Sequence, residues 1–356
     1  MGSVIKYRAN RFEELTMYKD NNFYKDKDDN FVLKITSDSY KILQLTDLHF
    51  GFGILSKKQD KLGMDAVKQL IYKTNPDLIV LTGDSIFPYI IKSGTMNNIK
   101  QTKKLTEFMD SFKIPYTFVF GNHDVEIGSK GSKDQISDII LNGEYSIFDK
   151  GSKDLTGVGN YIIKLVSENE KLIAALAFLD SNMYRDGWFY SGFDCIRDNQ
   201  TAWCMKELSD LKKENDNLKA LAFFHMPLPE FKEAYEKMKL GDKSVTYNFG
   251  SIGEADDYFG ISKYECNFFD ECLKSDVVKG IFCGHDHLNN ISLTYKGIMM
   301  TYGMSIDFLA YSNVKKTYVQ RGGTLIKIHN DGSFDVSPVP LNSVVSTFIR
   351  GKKNEG

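Results

Sequence analysis

Five of the six histidines in this chain, His49, His123, His225, His285 and His287, stand just behind short apolar runs of strand character. The runs are KILQL (41–45), DLIVL (77–81), YTFVF (116–120), ALAFF (220–224) and VVKGIFC (277–283). Behind them come polar blocks that carry Asp47 and His49, then Asp84, then Asn122-His123-Asp124, then His225, then His285 and His287. Asp47 to Asp84 is 37 residues and Asp84 to Asn122 is 38. Each interval suits one β-α-β crossover, which takes roughly 30 residues or more. Residues 62–73 and 97–112, between these runs, repeat apolar side chains at helical spacing. Strands and helices alternating in this way predict a parallel sheet. The polar blocks then gather beyond the carboxyl ends of its strands, where open α/β sheets hold ligands. Glycines at 83, 121 and 284 are expected to turn the backbone tightly ahead of each polar side chain.

The remaining stretches fill in the fold. FVLKI (31–35) and KILQL, separated by Ser37-Asp38-Ser39, predict a hairpin, and 161–166 with 172–179 predict an antiparallel pair. Helices are expected around 200–212 and 263–274, and strands at 289–295, 297–302 and 324–328. Residues 1–30 read as a polar arm or edge appendage, 31–345 as a single domain of two packed sheets with outer helices, and 346–356 as a frayed tail. A formal net charge of −2 gives no electrostatic case for nucleic acid. No apolar run approaches the roughly 20 residues of a membrane span. The N-terminus lacks the apolar segment of a secretory signal. Five cysteines without a Cys-x-x-Cys pair fit reduced thiols, so a cytoplasmic location is expected.

Imidazole, carboxylate and amide oxygen without thiolate suit ions such as Zn, Mn or Fe. Asp47-x-His49 and His285-x-His287 each place two side chains on one side of an extended segment. Seven such donors (Asp47, His49, Asp84, Asn122, His225, His285, His287) are too many for one tetrahedral ion. They suit two ions that share a carboxylate, a pair able to clamp the attacking and leaving oxygens of an in-line displacement.

In this order, from residue 41 to about 290, the blocks resemble those of the calcineurin-like metallophosphoesterases. KILQLTDLHFG, FLDSNMY, FFHMPLPEF and FCGHDHLN are similar to the purple-acid-phosphatase-like branch. The resemblance implies a two-sheet α/β/β/α sandwich and hydrolysis of a phosphomonoester, on a phosphoprotein or a small molecule. It places Asp47, His49 and His287 on one ion and Asn122, His225 and His285 on the other, with Asp84 bridging. A hydroxide between the ions would attack phosphorus, with the ions and Asn122 neutralising the phosphoryl oxygens. His123 would serve the leaving oxygen, held by Asp124. One departure stands out: Phe87 occupies the place of the tyrosine ligand of true purple acid phosphatases, which also lack the histidine present here as His49. No purple colour is expected, and His49 replaces the tyrosine. Phosphodiester hydrolysis is the rival chemistry, and a non-catalytic interaction module on the same scaffold is the other alternative.

Further from the blocks, Asp180 and Tyr184 are expected to line the substrate cleft together with Asn122, and Tyr302 to pack over the site. His329 reads as the lip of a hairpin, and Trp188 and Trp203 as packing residues. Specificity is assigned to the loop-like insertions 125–160, 183–200 and 240–262, with 128–133 as a mobile lip.

Overall fold

The computed structural model describes residues 23–27, 29–185, 192–311 and 321–341. The chain opens with β1 (Phe23–Lys25), β2 (Phe31–Ile35), β3 (Ser39–Leu45), α1 (Lys57–Thr74), β4 (Leu78–Thr82), the single turn α2 (Ile90–Ser93), α3 (Asn98–Asp110) and β5 (Tyr116–Val119). It continues through α4 (Lys133–Leu141), β6 (Tyr161–Ser167), β7 (Leu172–Phe178), α5 (Asp198–Lys212), β8 (Lys219–Phe223), α6 (Pro229–Lys239), β9 (Val245–Phe249) and α7 (Phe268–Ser275). It closes with β10 (Val278–Cys283), β11 (Ser292–Tyr295), β12 (Ile298–Tyr302), β13 (Gly322–His329) and β14 (Phe334–Pro340).

These strands form two sheets. One has five strands in the order β14-β13-β3-β4-β5, with β3, β4 and β5 parallel. The other has nine, β1-β2-β6-β7-β8-β10-β12-β11-β9, with β7, β8, β10 and β12 parallel. Strands covered on both faces read as unbroken apolar runs. Accordingly all five residues of β4 and all seven of β7 are buried. One core fills the space between the sheets and the helices α1 and α3. The second lies on the far face of the nine-stranded sheet, under α5, α6 and α7.

Tyr161, Phe178, Phe223 and Phe282 stack across β6, β7, β8 and β10 with ring centroids 4.9–5.2 Å apart. This inter-sheet ladder is one destination of the chain's 13% aromatic content. In α1, the positions Ala66, Val67, Leu70 and Ile71 recur at helical spacing and face the five-stranded sheet. Burying each large aliphatic side chain contributes about 1.5–3 kcal/mol, and Leu70→Ala would cost about 2–5 kcal/mol. The helix stops where Asn75 turns left-handed (φ 45°) ahead of Pro76.

Several expectations need correction. The hairpin between 31–35 and 41–45 does not form: β2 pairs with β1 and β6, whereas β3 pairs with β4 and β13 in the other sheet. Within the arm, Phe23–Lys25 is an antiparallel edge strand on β2. The helix expected at 263–274 begins only at Phe268. The insertions are not loops throughout. The first contains α4, started by a reciprocal Ser132–Gln135 capping box, and the third contains β9. The lip at 128–133 is tied down by Asn98, which donates to the Gly131 carbonyl (2.8 Å) and accepts from its N–H (2.7 Å). The pair β6–β7 is antiparallel as expected. His329 ends β13 at the turn into β14, and Trp203 packs against the outer core. Trp188, residues 1–22 and the tail 346–356 lie outside the described residues. Among the described residues, no helix is long and apolar enough to cross a membrane.

Candidate metal centre

The carboxyl ends of β3, β4 and β5 deliver Asp47 with His49, Asp84, and Asn122 with His123 to one edge of the five-stranded sheet. From the facing sheet, β8 delivers His225 and β10 delivers His285 and His287. The loops after β3 and β4 stay laced together: Asp47 N–H donates to the Gly83 carbonyl (3.2 Å), His49 N–H to the Asp84 carbonyl (2.9 Å) and Phe50 N–H to the Ser85 carbonyl (3.1 Å). Four of the delivered residues sit at left-handed φ: Asp47 (51°), His49 (47°), Asp84 (50°) and His285 (81°). Such conformations cost of order 1–3 kcal/mol each and persist where the surroundings impose them.

The block glycines act differently from one another. Gly83 needs its φ of 87°. Gly121 and Gly284 are required by close approach instead of a tight turn. A Cβ on Gly121 would lie 2.2 Å from Asp84 Oδ1, and one on Gly284 would lie 1.9 Å from Thr46 Oγ1 across the inter-sheet seam.

All seven expected donors arrive at this seam. Donor atoms of Asp47, His49, Asp84 and His287 lie within 4.8 Å of one another, as do those of Asp84, His225 and His285. Asp84 belongs to both groups, its Oδ2 standing 3.5 Å from His49 Nε2 and 3.1 Å from His225 Nε2. Asn122 Oδ1 is 3.0 Å from His285 Nδ1 and completes the second group. His225 Nδ1 donates to the Thr82 carbonyl (2.9 Å), which leaves Nε2 turned to Asp84.

Asp47 Oδ2, Asp84 Oδ2, both nitrogens of His49 and His225 Nε2 are buried and receive no hydrogen bond from the protein. A buried polar atom without a partner costs about 1–3 kcal/mol. Four of them, Asp47 Oδ2, Asp84 Oδ2, His49 Nε2 and His225 Nε2, converge on one seam and fit a site built for cations, while His49 Nδ1 faces Asp307. The nitrogen and oxygen donors present match two divalent or trivalent first-row ions.

The charges form one connected system. Burial works against the Asp84 carboxylate, but His225 and His123 hold it well below its ordinary value. His225 is driven up to about 10 against burial, chiefly by Asp84. His287 rises to about 9, with burial again opposed, here by Asp307 and Asp47. Burial and the neighbouring His225 push His285 down. Cations taking these lone pairs would displace protons.

Five residues fall differently from expectation or were not foreseen. Asp124 was expected to orient His123. Its buried carboxylate instead accepts four backbone N–H groups, from Asp84 (3.0 Å), Ser85 (2.9 Å), Ile86 (3.0 Å) and Gly121 (2.8 Å). Burial and the Asp84 charge push it up to about 7, against the pull of these amides. Glu126 is the residue on His123 Nδ1.

Asp307 was also not foreseen. It faces His287 Nδ1 at 3.2 Å and His49 Nδ1 at 3.9 Å. Amides of Leu309 (2.7 Å) and Ala310 (2.6 Å) fix it in place. Burial opposes its charge, yet His49 and His287 hold it far below the usual carboxylate range.

Asp180 does not line a cleft: it is fully buried and binds Lys133 (2.6 Å), Val158 N–H (2.9 Å) and Asn182 N–H (2.9 Å). Tyr302 is likewise enclosed, its hydroxyl donating to Asp286 (2.7 Å) between the two histidines of the last block. Tyr184 does reach the centre, its hydroxyl accepting from Asn122 Nδ2 (3.1 Å). Phe87 sets its ring edge-on to His49 (5.2 Å) and His123 (5.1 Å).

The model of the calcineurin-like phosphoesterase family matches residues 40–289. The chain belongs to that family and is a metal-dependent phosphoric ester hydrolase. It is 28% identical over 301 residues to "probable inactive purple acid phosphatase 29" of Arabidopsis thaliana, covering 76% of this chain and 73% of that one. It is 32% identical over 288 residues to "phosphatase DCR2" of Saccharomyces cerevisiae, covering 74% of this chain and 47% of the yeast protein. The chain thus spans about half the length of DCR2. A solved dimetal phosphatase from Danio rerio shares the fold, with a TM-score of 0.57 at 10% identity over 86% of this chain and 97% of that one.

Proposed function

We propose that this chain hydrolyses phosphomonoesters at the seam between its two sheets. The observation that carries the reading is Asp84, a buried carboxylate shared by two donor groups, whose Oδ2 faces the ring nitrogens of His49 and His225. Asp47, His49, Asp84 and His287 would hold one cation, and Asp84, Asn122, His225 and His285 the other, whether Zn, Mn or Fe. Bound there, two such ions supply Lewis-acid polarisation of the ester and activation of water.

The remaining work falls to the chain itself. The His49 and His225 side chains are fully buried and that of His287 is 10% exposed, whereas His123 keeps 28% exposure and faces an incoming substrate. Burial opposes a charge on His123, but Asp84 and Glu126 raise it above its ordinary value. A protonated His123 can therefore donate to the departing oxygen. The Asn122 amide, set by the Tyr184 hydroxyl, is placed for a phosphoryl oxygen.

The name of the yeast relative supports a phosphatase over a diesterase. The test is hydrolysis of p-nitrophenyl phosphate and bis-p-nitrophenyl phosphate by metal-supplemented protein and by His123→Ala. Faster turnover of the monoester, reduced in the variant without loss of metal, supports the reading. Preference for the diester, or wild-type rates in His123→Ala, would overturn it.

A further inference from the structure

Beside the metal loops lies a cleft of about 710 Å³ that is basic, although the chain carries a formal net charge of −2. It runs between the first two-thirds of α1 (Lys57 to Lys68) and the first half of α3 (Lys100 to Lys104), against residues 52–54. Parallel β-α units put helix starts at the carboxyl edge of the sheet, so the cleft lies toward the same edge as the metal centre. The two share a wall. Gln101 lines the cleft and donates to the carbonyls of Gly51 and Phe87, and the Phe87 ring packs on His49 and His123.

Five lysines line the cleft (Lys57, Lys61, Lys68, Lys100 and Lys104) against Asp60 and Asp65, an excess of three positive charges. The acids leave that excess open. Asp65 is taken by Lys61 at 2.6 Å. Asp60 is 6% exposed and turned inward, accepting from Gly51 N–H (2.8 Å) and the Ser56 hydroxyl (2.7 Å). Lys104 is tied to the Phe52 carbonyl (3.1 Å). Lys57 and Lys100 are exposed, and among the described residues no carboxylate pairs with either. Apolar surface sits among these charges: Phe52 and Met64 on the wall, and Ile54 on the lip at 75% exposure.

We propose that this cleft docks an acidic stretch of polypeptide, with carboxylates on Lys57, Lys68 and Lys100 and an aliphatic side chain against Phe52 and Ile54. The lysines line a recess, which a peptide can enter and a flat bilayer surface cannot. Chemistry of this kind selects phosphoproteins with acidic flanks as substrates of the adjacent centre. That last step rests on the phosphatase reading, whereas the binding does not.

The test is fluorescence anisotropy of a labelled peptide of alternating Glu and Leu with the full chain. A Gln-for-Glu peptide and cosedimentation with phosphatidylserine vesicles run beside it. The acidic peptide should bind, more weakly as salt rises and charges are screened. Lys57→Glu/Lys100→Glu should weaken it by about ten-fold or more, as attractive exposed pairs become repulsive, with thermal unfolding unchanged. Equal binding of the Gln peptide, unchanged binding by the double variant, or capture by vesicles in place of the peptide would overturn the proposal. Binding is read without turnover. A chain that binds the peptide but leaves p-nitrophenyl phosphate intact would keep the cleft and sink the phosphatase reading; the reverse pattern would do the opposite.

Discussion

Replacing Asp124 by asparagine separates the scaffold of the centre from its chemistry. In the wild-type chain Oδ2 accepts from Asp84 and Gly121 N–H, and Oδ1 from Ser85 and Ile86 N–H. Asparagine keeps the shape but turns one oxygen into an NH₂ group. Whichever way the amide is flipped, that group meets two N–H donors. Two buried donors lose their acceptor at about 1–3 kcal/mol each, so the variant should lose about 2–6 kcal/mol. That is a large share of the 5–15 kcal/mol typical of a folded domain. The damage falls on the turn that carries Asp84, so the urea midpoint and the metal content should drop together.

Glu126→Gln is the counterpart, because Glu126 supports His123. A His pKa raised in the folded state means the protonated form stabilises the fold. That contribution is complete below the unfolded value and is lost as pH rises through the folded one. Removing the Glu126 charge lowers the folded value. The alkaline limb of activity should therefore move to lower pH, with stability within about 0.5 kcal/mol of wild type and metal retained. A wild-type urea midpoint and metal content in Asp124→Asn, or loss of metal in Glu126→Gln alone, would refute the assignment of roles.

Two further perturbations probe the seam. Gly284→Ala places a methyl group against Thr46 and 3.0 Å from Asp47 Oδ2, so it should lower stability by about 1–3 kcal/mol and weaken metal loading; chemical denaturation with elemental analysis checks it. Asp307→Asn removes the charge behind His287 and His49 and should weaken metal binding about 10–100-fold, read by competition with a chelating dye.

Much of this centre is legible from sequence because its donors come in blocks at the ends of apolar runs, spaced by whole crossovers. The supporting residues are not. Asp307 lies five positions past Tyr302, the end of β12, with no histidine or glycine beside it to mark it. Glu126 stands at i+3 from His123, a spacing that could have revealed the pair, but the adjacent Asp124 offered the more familiar Asp-His pattern. Asp180, two residues past β7, and Tyr302, at the end of β12, also follow the strand-end pattern, yet their polar atoms are consumed by neighbours that no local pattern discloses.

The fold failed to read where the chain changes sheets. Ser37-Asp38-Ser39 marks a bend in the chain, but turn chemistry says nothing about whether the next strand stays in the same layer. Both β2 and β3 are apolar enough to be interior strands. The lysine cleft was invisible because each lysine alone reads as the solvated face of a helix. Only the packing of α1 beside α3 gathers them.

The shared carboxylate is tested most directly by anomalous scattering from crystals of metal-supplemented protein. Two peaks about 3.5–4 Å apart, with Asp84 between them and reduced occupancy in Asp84→Asn, are the predicted result. A single peak, or two peaks too far apart for Asp84 to touch both, would contradict it.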